Sequence, residues 1–258
     1  MLTIRDEQLE AFERASWKKF EQSQLGHVRE YFPVDHAVLG GDRATLEFIR
    51  AGIERARAAG ISVFGDACRY VDLMLSLGTD FVIDPQLPWA KALIDDESQD
   101  VSTRVDLLHA AALAYIDRVA GEDGGHYLRA VLRARSLSYE EASADDGDDF
   151  ERSLRALCAR LWARKHREIR GDPMPRFLAR AIASSERDGM GEPGPRMIYA
   201  GLMFLLGSGF ATDPLHRWAT AVLSEASSSG HARARALFEA AKEHLERTLE
   251  AIRSSGSD

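Results

Sequence analysis

The chain has few cysteines and no long uninterrupted hydrophobic run. Only two of its 258 residues are cysteine, Cys68 and Cys158. Two cysteines supply neither a disulfide framework nor the ligand spacing of a zinc site, so we expect two reduced thiols in a cytoplasmic protein. The most apolar segment, residues 197–211, is shorter than the roughly 20 residues that a membrane-spanning helix requires. It predicts a buried helix, and we expect no membrane span.

The sequence also lacks the signature motifs of common enzyme classes. It contains no HExxH zinc motif, and His166 and Glu168 have the wrong spacing to chelate a metal. Its glycine-containing loops lack the lysine of a phosphate-binding loop. The stretch LGSGF around Ser208 resembles a nucleophile elbow, but it lies at the end of a predicted helix. We therefore expect no catalytic residue, no metal and no cofactor, and we predict that the protein is not an enzyme.

The charge balance does not favour binding to nucleic acid. Acidic residues outnumber Lys and Arg by 41 to 33, which gives a formal net charge of −8. Domains that bind nucleic acid usually present an excess of basic residues to the phosphates. Residues 160–170 are locally basic, but apolar residues alternate with the charges at helical spacing, which is typical of a solvated helix face. We expect no nucleic-acid partner.

What the chain does contain is an internal repeat. The segment YVDLMLSLGTDFVIDPQLPWAKAL begins at Tyr70, and YAGLMFLLGSGFATDPLHRWATAV begins at Tyr199, 129 positions later (199 − 70 = 129). Five recurring pairs stand out: Gly78 and Gly207, Phe81 and Phe210, Asp84 and Asp213, Pro85 and Pro214, and Trp89 and Trp218. The two segments align without a gap, which predicts two related structural units.

A helix corner explains these ten shared residues. Glycine just past a helix reaches backbone conformations that other residues avoid, and the following Phe is placed to pack back on that helix. Asp before Pro is typical of a helix N-cap with proline at the first helical position, and the Trp one turn later is expected to face the core. The alternative is that Asp84 and Asp213 are paired carboxylates for acid–base catalysis. No second acid recurs beside them, so we predict a structural corner used twice.

Apolar residues recur at helical spacing along most of the chain, and no segment shows the alternation of a strand. The pattern predicts helices over residues 3–31, 44–59, 64–77, 85–95, 101–120, 126–142, 150–169 and 231–253, with a loop over 34–42. The predicted fold is all-α, an internally duplicated helical bundle with two related units of about five helices each. The predicted domains are 1–139, a first helical unit with a connecting helix; 140–149, an acidic linker; and 150–258, a second helical unit.

The second corner is more apolar than the first because of Ile198, Phe204 and Leu215. Two interpretations fit this difference: the three side chains are buried against the first unit, or they form an exposed surface for a partner. The sequence pattern does not separate these interpretations.

Four stretches, MLTIRDEQLEAFERA, GIERARAAGI, CRYVDLMLSLGTDF and DPQLPWA, resemble a group of uncharacterised bacterial proteins. These are encoded beside type VI secretion components such as spike-tip proteins and toxic effectors. The resemblance covers mainly the first 95 residues and supplies no catalytic residue. It implies a non-enzymatic cytoplasmic accessory protein, an adaptor or chaperone that binds a secreted effector or spike component.

Two alternatives to this function stay open. The first is an immunity protein that neutralises a cognate toxin. The second is an enzyme whose site is assembled between the two units, which requires a pocket at their interface lined by convergent polar groups.

Overall fold

The computed structural model describes residues 6–145, 149–225 and 229–255. Within these ranges there are fourteen α-helices, two 3₁₀ turns (Phe81–Ile83 and Pro214–His216) and no strand, which confirms the predicted all-α class. The first eight helices are α1 (Asp6–Tyr31), α2 (Pro33–Leu39), α3 (Asp42–Ala58), α4 (Phe64–Leu77), α5 (Pro88–Ile94), α6 (Val101–Ala120), α7 (Gly125–Ser136) and α8 (Tyr139–Ala142). The other six are α9 (Phe150–Leu161), α10 (Ala163–Ile169), α11 (Pro173–Arg187), α12 (Pro193–Leu206), α13 (Arg217–Leu223) and α14 (Gly230–Ser255).

Four local predictions differ from the structure. The helix predicted over 126–142 is interrupted between Ser136, where α7 ends, and Tyr139, where α8 begins. Residues 33–39, predicted mostly as loop, form α2, because Pro33 ends α1 and also occupies the first turn of a new helix, where its fixed φ is favourable. The helix predicted over 150–169 is broken at Trp162, whose indole N–H donates to the carbonyl oxygen of Val119 at 2.7 Å. The helix predicted to begin at Pro85 begins at Pro88.

The predicted acidic linker is only partly a linker. Its residues 140–142 belong to α8. Ser138 and Glu141 form a capping box at the N-terminus of this helix, in which each side chain bonds to the backbone N–H of the other residue. Glu141 also pairs with Arg160 of α9. Residues 146–148 of the linker, and residues 3–5 of the predicted first helix, lie outside the described residues.

Helix α12 forms the centre of the C-terminal half. Every residue from Met197 to Leu205 is buried, and α9, α11 and α14 pack around the helix. A helix that is apolar on all sides needs such a complete cover of protein. The structure therefore confirms the buried helix predicted for this segment. Among the described residues, no helix is both long and apolar enough to cross a membrane.

The helix bounds follow the sequence repeat. The offset that relates Tyr70 to Tyr199 also relates the first residues of α4 and α12, and their last residues. The same offset relates both ends of α5 and α13, and the first residues of α6 and α14. In the N-terminal half α4 packs against α3 and α6, as α12 packs against α11 and α14 in the C-terminal half.

Ile198, Phe204 and Leu215 are buried and do not form an exposed surface. Ile198 is 3 % exposed, Phe204 is fully buried and Leu215 is 7 % exposed. These exposures favour burial of the three side chains over an exposed surface for a partner.

Candidate functional site

The two corners lie against each other in the middle of the molecule. Gly78 ends α4 with φ of +92°, and Gly207 ends α12 with φ of +102°. A Cβ atom on Gly78 would lie 3.6 Å from the carbonyl oxygen of Leu206, and one on Gly207 would lie 3.4 Å from that of Leu77. The positive φ angles explain why both positions are glycine, because L side chains rarely adopt this conformation.

The phenylalanines pack back on the helices that precede them. Phe81 and Phe210 are each 1 % exposed. The Phe81 ring lies 5.2 Å from that of Tyr70 in α4, and the Phe210 ring lies 5.0 Å from that of Tyr199 in α12, measured between ring centroids. Each corner is therefore fixed by an aromatic pair within its own half of the chain.

Asp84 and Asp213 connect the two corners by reciprocal hydrogen bonds. Each carboxylate accepts from the backbone two residues further on, as a local cap, and also from the backbone of the opposite corner. The bonds are Gln86 N to Asp84 (2.8 Å), Ser208 N to Asp84 (2.8 Å), Leu215 N to Asp213 (2.9 Å), Thr79 N to Asp213 (2.8 Å) and Thr79 Oγ1 to Asp213 (3.0 Å). Burial raises the pKa of the Asp213 carboxyl above its usual range. The carboxylates join two segments of chain, which the sequence pattern did not predict. The predicted cap is present at Asp213, which caps the 3₁₀ turn that begins at Pro214, but Asp84 does not cap α5, because that helix begins only at Pro88.

A cavity of about 440 Å³ lies beside the two corners, and Asp84 is part of its lining. Its lining comes from α2, α4, α6 and α7 and from α10, α12 and α14. Its lining is mainly aliphatic and aromatic, with a small number of polar side chains. This is the composition expected of a ligand-binding pocket, in which few polar groups orient a mostly apolar ligand.

Lys165 is the cationic residue of this lining. Its side chain, on α10, is 8 % exposed and makes no hydrogen bond or ion pair within the described residues. Its Nζ atom lies 5.3 Å from the ring centroid of Trp162 and 5.4 Å from that of Phe204. Burial lowers the pKa of the amine to about 8, although the nearby charge of Asp84 acts in the opposite direction. At pH 7 the cavity therefore contains a mostly protonated amine without a directly bound anion.

Other lining residues carry buried polar atoms without a partner. Within the described residues, Gln86 Oε1, Tyr115 Oη and His216 Nδ1 are buried and have no hydrogen-bond partner. Buried polar atoms in native proteins are normally paired, and leaving one unpaired costs about 1–3 kcal/mol. A bound ligand or ordered water in the cavity would satisfy them.

Two histidines line the cavity next to each other. The His216 and His244 rings lie 5.2 Å apart between centroids, and each residue is 8 % exposed. Burial lowers the pKa of His216 to about 4 and that of His244 to about 3. Both imidazoles are therefore neutral at pH 7.

Six of the ten predicted corner residues meet where the two corners contact each other: Gly78, Phe81, Asp84, Gly207, Phe210 and Asp213. Trp89 and Trp218 are half-buried and not fully in the core; their rings lie beside Tyr115 and His244 respectively. Ser208 donates its backbone N–H to Asp84, and within the described residues no histidine hydrogen-bonds its hydroxyl group. The structure therefore gives no nucleophile–base pair at this serine.

Sequence reasoning missed Lys165. The basic stretch that contains it was predicted to be a solvated helix face. Lys165 instead continues the apolar stripe of Cys158, Leu161 and Ile169, at intervals of three and four residues, and all four side chains are buried. A lysine on the apolar stripe was the available signal.

Comparison of the chain with models of protein families, with curated proteins and with solved structures finds no match.

Proposed function

We propose that the protein is a non-enzymatic cytoplasmic accessory protein, an adaptor or chaperone, that binds a protein partner in its central cavity. Lys165 supports this most directly. A buried ammonium group without an anionic partner costs stability, and a carboxylate on a ligand would offset that cost. The ligand segment we propose is apolar and carries a carboxylate, at an acidic side chain or at a chain end.

The cavity is suited to such a segment in size and composition. Its volume of about 440 Å³ lies within the range of about 300–1,000 Å³ that is usual for binding pockets. Aliphatic walls would cover the apolar part of the segment. Tyr115 Oη supplies a further donor in the same lining, where it can share the carboxylate with Lys165.

We further propose that the partner is a type VI secretion effector or spike component. The resemblance of the first 95 residues supports this. The common offset between the helix bounds of the two halves supports a duplicated bundle with a first unit over 1–139 and a second over 150–258. The net charge of −8 supports a protein partner in preference to nucleic acid.

Matched short peptides test the cavity directly. Acetyl-Leu-Phe with a free carboxylate is expected to bind at least ten times more tightly than its C-terminal amide, because only the acid pairs with Lys165. Isothermal titration calorimetry at pH 7 and low salt measures both affinities. Equal binding of acid and amide, or no binding of either, would contradict the proposal.

The Lys165→Met variant is the control for this experiment. We expect it to abolish the preference for the acid and to raise the free energy of unfolding by about 2–3 kcal/mol at pH 7. A lysine whose folded pKa is lowered to about 8 binds its proton more weakly in the folded chain, so ionisation favours the unfolded state at pH 7. If the Lys165→Met variant is more stable than the wild type and does not bind the peptide, unfolding is not the cause of the lost binding.

Co-expression separates the adaptor from the immunity protein. With the neighbouring effector gene, an adaptor changes effector export and an immunity protein restores growth. If the cavity holds the partner, affinity purification of the wild-type chain retains a secretion component that Lys165→Met loses.

A second candidate function is an enzyme with its site in the same cavity, and the lowered pKa of Lys165 favours it. An amine with a pKa of about 8 is partly unprotonated near neutral pH and is nucleophilic towards carbonyl carbon. Its nitrogen would attack the carbonyl of a keto acid, and loss of water would leave an imine.

Reductive trapping distinguishes this enzyme from a binding protein. Incubation with pyruvate and borohydride converts such an imine to a stable secondary amine, which mass spectrometry locates. For the accessory protein we expect no labelling of Lys165 above that of Lys91, which is exposed. Selective labelling of Lys165 would support the enzyme.

A further inference from the structure

Three metal-ligating side chains meet outside the central cavity, between α1 and α4. They are His27 on α1 and Cys68 and Asp72 on α4, and their ligand atoms all lie within 4.8 Å of one another. Cys68 and Asp72 are four residues apart, so they occupy the same face of their helix. All three are neither fully buried nor fully exposed, so an ion from solvent has access to a site that is partly shielded from water.

The distances are close to those that a tetrahedral ion requires. His27 Nε2 lies 3.0 Å from Asp72 Oδ2, and Cys68 Sγ lies 3.9 Å from the same oxygen. With metal–ligand bonds of about 2.0–2.3 Å, the ligand atoms of a tetrahedral zinc centre lie about 3.3–3.6 Å apart. The third pair, His27 and Cys68, lies within 4.8 Å. Side-chain adjustments of up to about 1 Å would bring the three donors onto one ion.

A neighbouring side chain already orients the carboxylate. Gln24, which is 2 % exposed, donates from Nε2 to Asp72 Oδ1 at 3.1 Å. This leaves Oδ2 directed towards His27 and Cys68. Outer partners of this kind are characteristic of metal sites, where they fix the position of the ligands.

The three donors are not needed to build the helix that carries two of them. In α12, which has the same length as α4, the positions that correspond to Cys68 and Asp72 in the repeat are Met197 and Gly201.

The three side chains are also poorly suited to act as a catalytic cysteine triad. Burial and the charge of Asp72 raise the pKa of the Cys68 thiol to about 11, which is unsuitable for a nucleophilic thiolate.

We propose that His27, Cys68 and Asp72 form a binding site for a divalent ion of the zinc class, with at least one coordination position open to water. A thiolate, an imidazole and a carboxylate together match the preference of zinc and cobalt for mixed sulfur, nitrogen and oxygen ligands. Binding releases the thiol proton of Cys68 and replaces the His27–Asp72 hydrogen bond by two bonds to the ion. Sequence spacing did not reveal the site because His27 lies far from Cys68 along the chain, on a different helix.

Cobalt provides a spectroscopic test, because a thiolate bound to Co²⁺ gives a charge-transfer band in the near ultraviolet. The measurement uses the full chain with Cys158→Ala, which leaves Cys68 as its single thiol. We expect one equivalent of Co²⁺ to produce the band and one equivalent of Zn²⁺ to remove it. Cys68→Ser is expected to abolish the band, and His27→Gln and Asp72→Asn each to weaken Co²⁺ binding at least tenfold.

Two controls separate a site from general metal affinity or from misfolding. His231→Gln removes an exposed histidine on α14 and is expected to leave the Co²⁺ affinity unchanged. Circular dichroism of each variant without metal verifies that the helices are retained. The proposal is overturned if stoichiometric Co²⁺ gives no charge-transfer band in the folded chain, or if the band persists after Cys68→Ser.

Discussion

Replacing Asp213 by alanine is expected to lower the free energy of unfolding by about 3–5 kcal/mol. The substitution leaves the backbone N–H groups of Leu215 and Thr79, and the Thr79 hydroxyl, without their acceptor. Thr79 is 5 % exposed and Leu215 is 7 % exposed, so water cannot readily replace the carboxylate. Each buried donor left unsatisfied costs about 1–3 kcal/mol. Guanidinium unfolding at pH 7, followed by far-ultraviolet circular dichroism, measures the change.

An exposed capping aspartate gives the matched comparison. Asp100 caps α6 by accepting from the backbone N–H of Thr103 at 3.0 Å, and among the described residues its side chain makes no hydrogen bond to the other half of the chain. Asp100→Ala is therefore expected to cost about 1 kcal/mol, the usual value for loss of a helix cap. If Asp213→Ala costs no more than Asp100→Ala, the hydrogen bonds between the corners do not contribute to stability.

Asp84→Ala should behave like Asp213→Ala, since it removes the acceptor of Ser208 N–H in the opposite corner. The double variant then reports whether the two bonds depend on each other. Residues in one hydrogen-bonded network usually give non-additive changes. A double variant that is clearly less destabilised than the sum of the single variants would show that the corners separate once either bond is lost.

Sequence patterns predicted those parts of the fold that depend on nearby residues. The ends of α4 and α12 at Gly78 and Gly207 follow from the conformational freedom of glycine just after an apolar helix. The buried course of α12 follows from its lack of any polar face. The hydrogen bonds from Thr79 to Asp213 and from Ser208 to Asp84 could not be predicted, because each joins two residues in opposite halves of the chain.

The candidate sites likewise combine signals from nearby residues, which a sequence pattern can show, with contacts between distant residues, which it cannot. The position of Lys165 on an apolar stripe is a local signal, but the cavity beside it exists only because seven helices from both halves converge there. The break at Trp162, which separates α10 from α9, depends on a carbonyl oxygen of α6. Tertiary contacts of this kind override the helical periodicity from which the uninterrupted helix was predicted.

Lowering the pH from 7 to 5 is expected to destabilise the protein through His216 and His244. In the unfolded chain both imidazoles gain a proton near pH 6.5, whereas in the folded chain they stay neutral down to about pH 4 and about pH 3. The contribution of the two neutral histidines to the free energy of unfolding is therefore fully present above pH 6.5 and is lost as the pH falls towards 4. Each histidine contributes a loss of about 2 kcal/mol between pH 7 and pH 5.

Carboxyl groups whose pKa is raised in the folded chain oppose this change, Asp35 and Asp213 among them. The apolar surroundings of Asp35, in the same cavity lining, raise its pKa to about 6. Its protonation in the folded chain adds stability as the pH falls, so the net loss is expected to be about 2 kcal/mol and not the full histidine contribution.

A non-titrating variant isolates the histidine effect. In His244→Gln the loss of unfolding free energy between pH 7 and pH 5 is expected to shrink by about 2 kcal/mol, because glutamine gains no proton in the unfolded chain. Urea unfolding at the two pH values, for wild type, His244→Gln and the exposed-site control His231→Gln, measures this difference. The control should retain the wild-type pH dependence. If His244→Gln retains it as well, His244 gains its proton over the same pH range in the folded and the unfolded chain, and burial in the cavity does not lower its pKa.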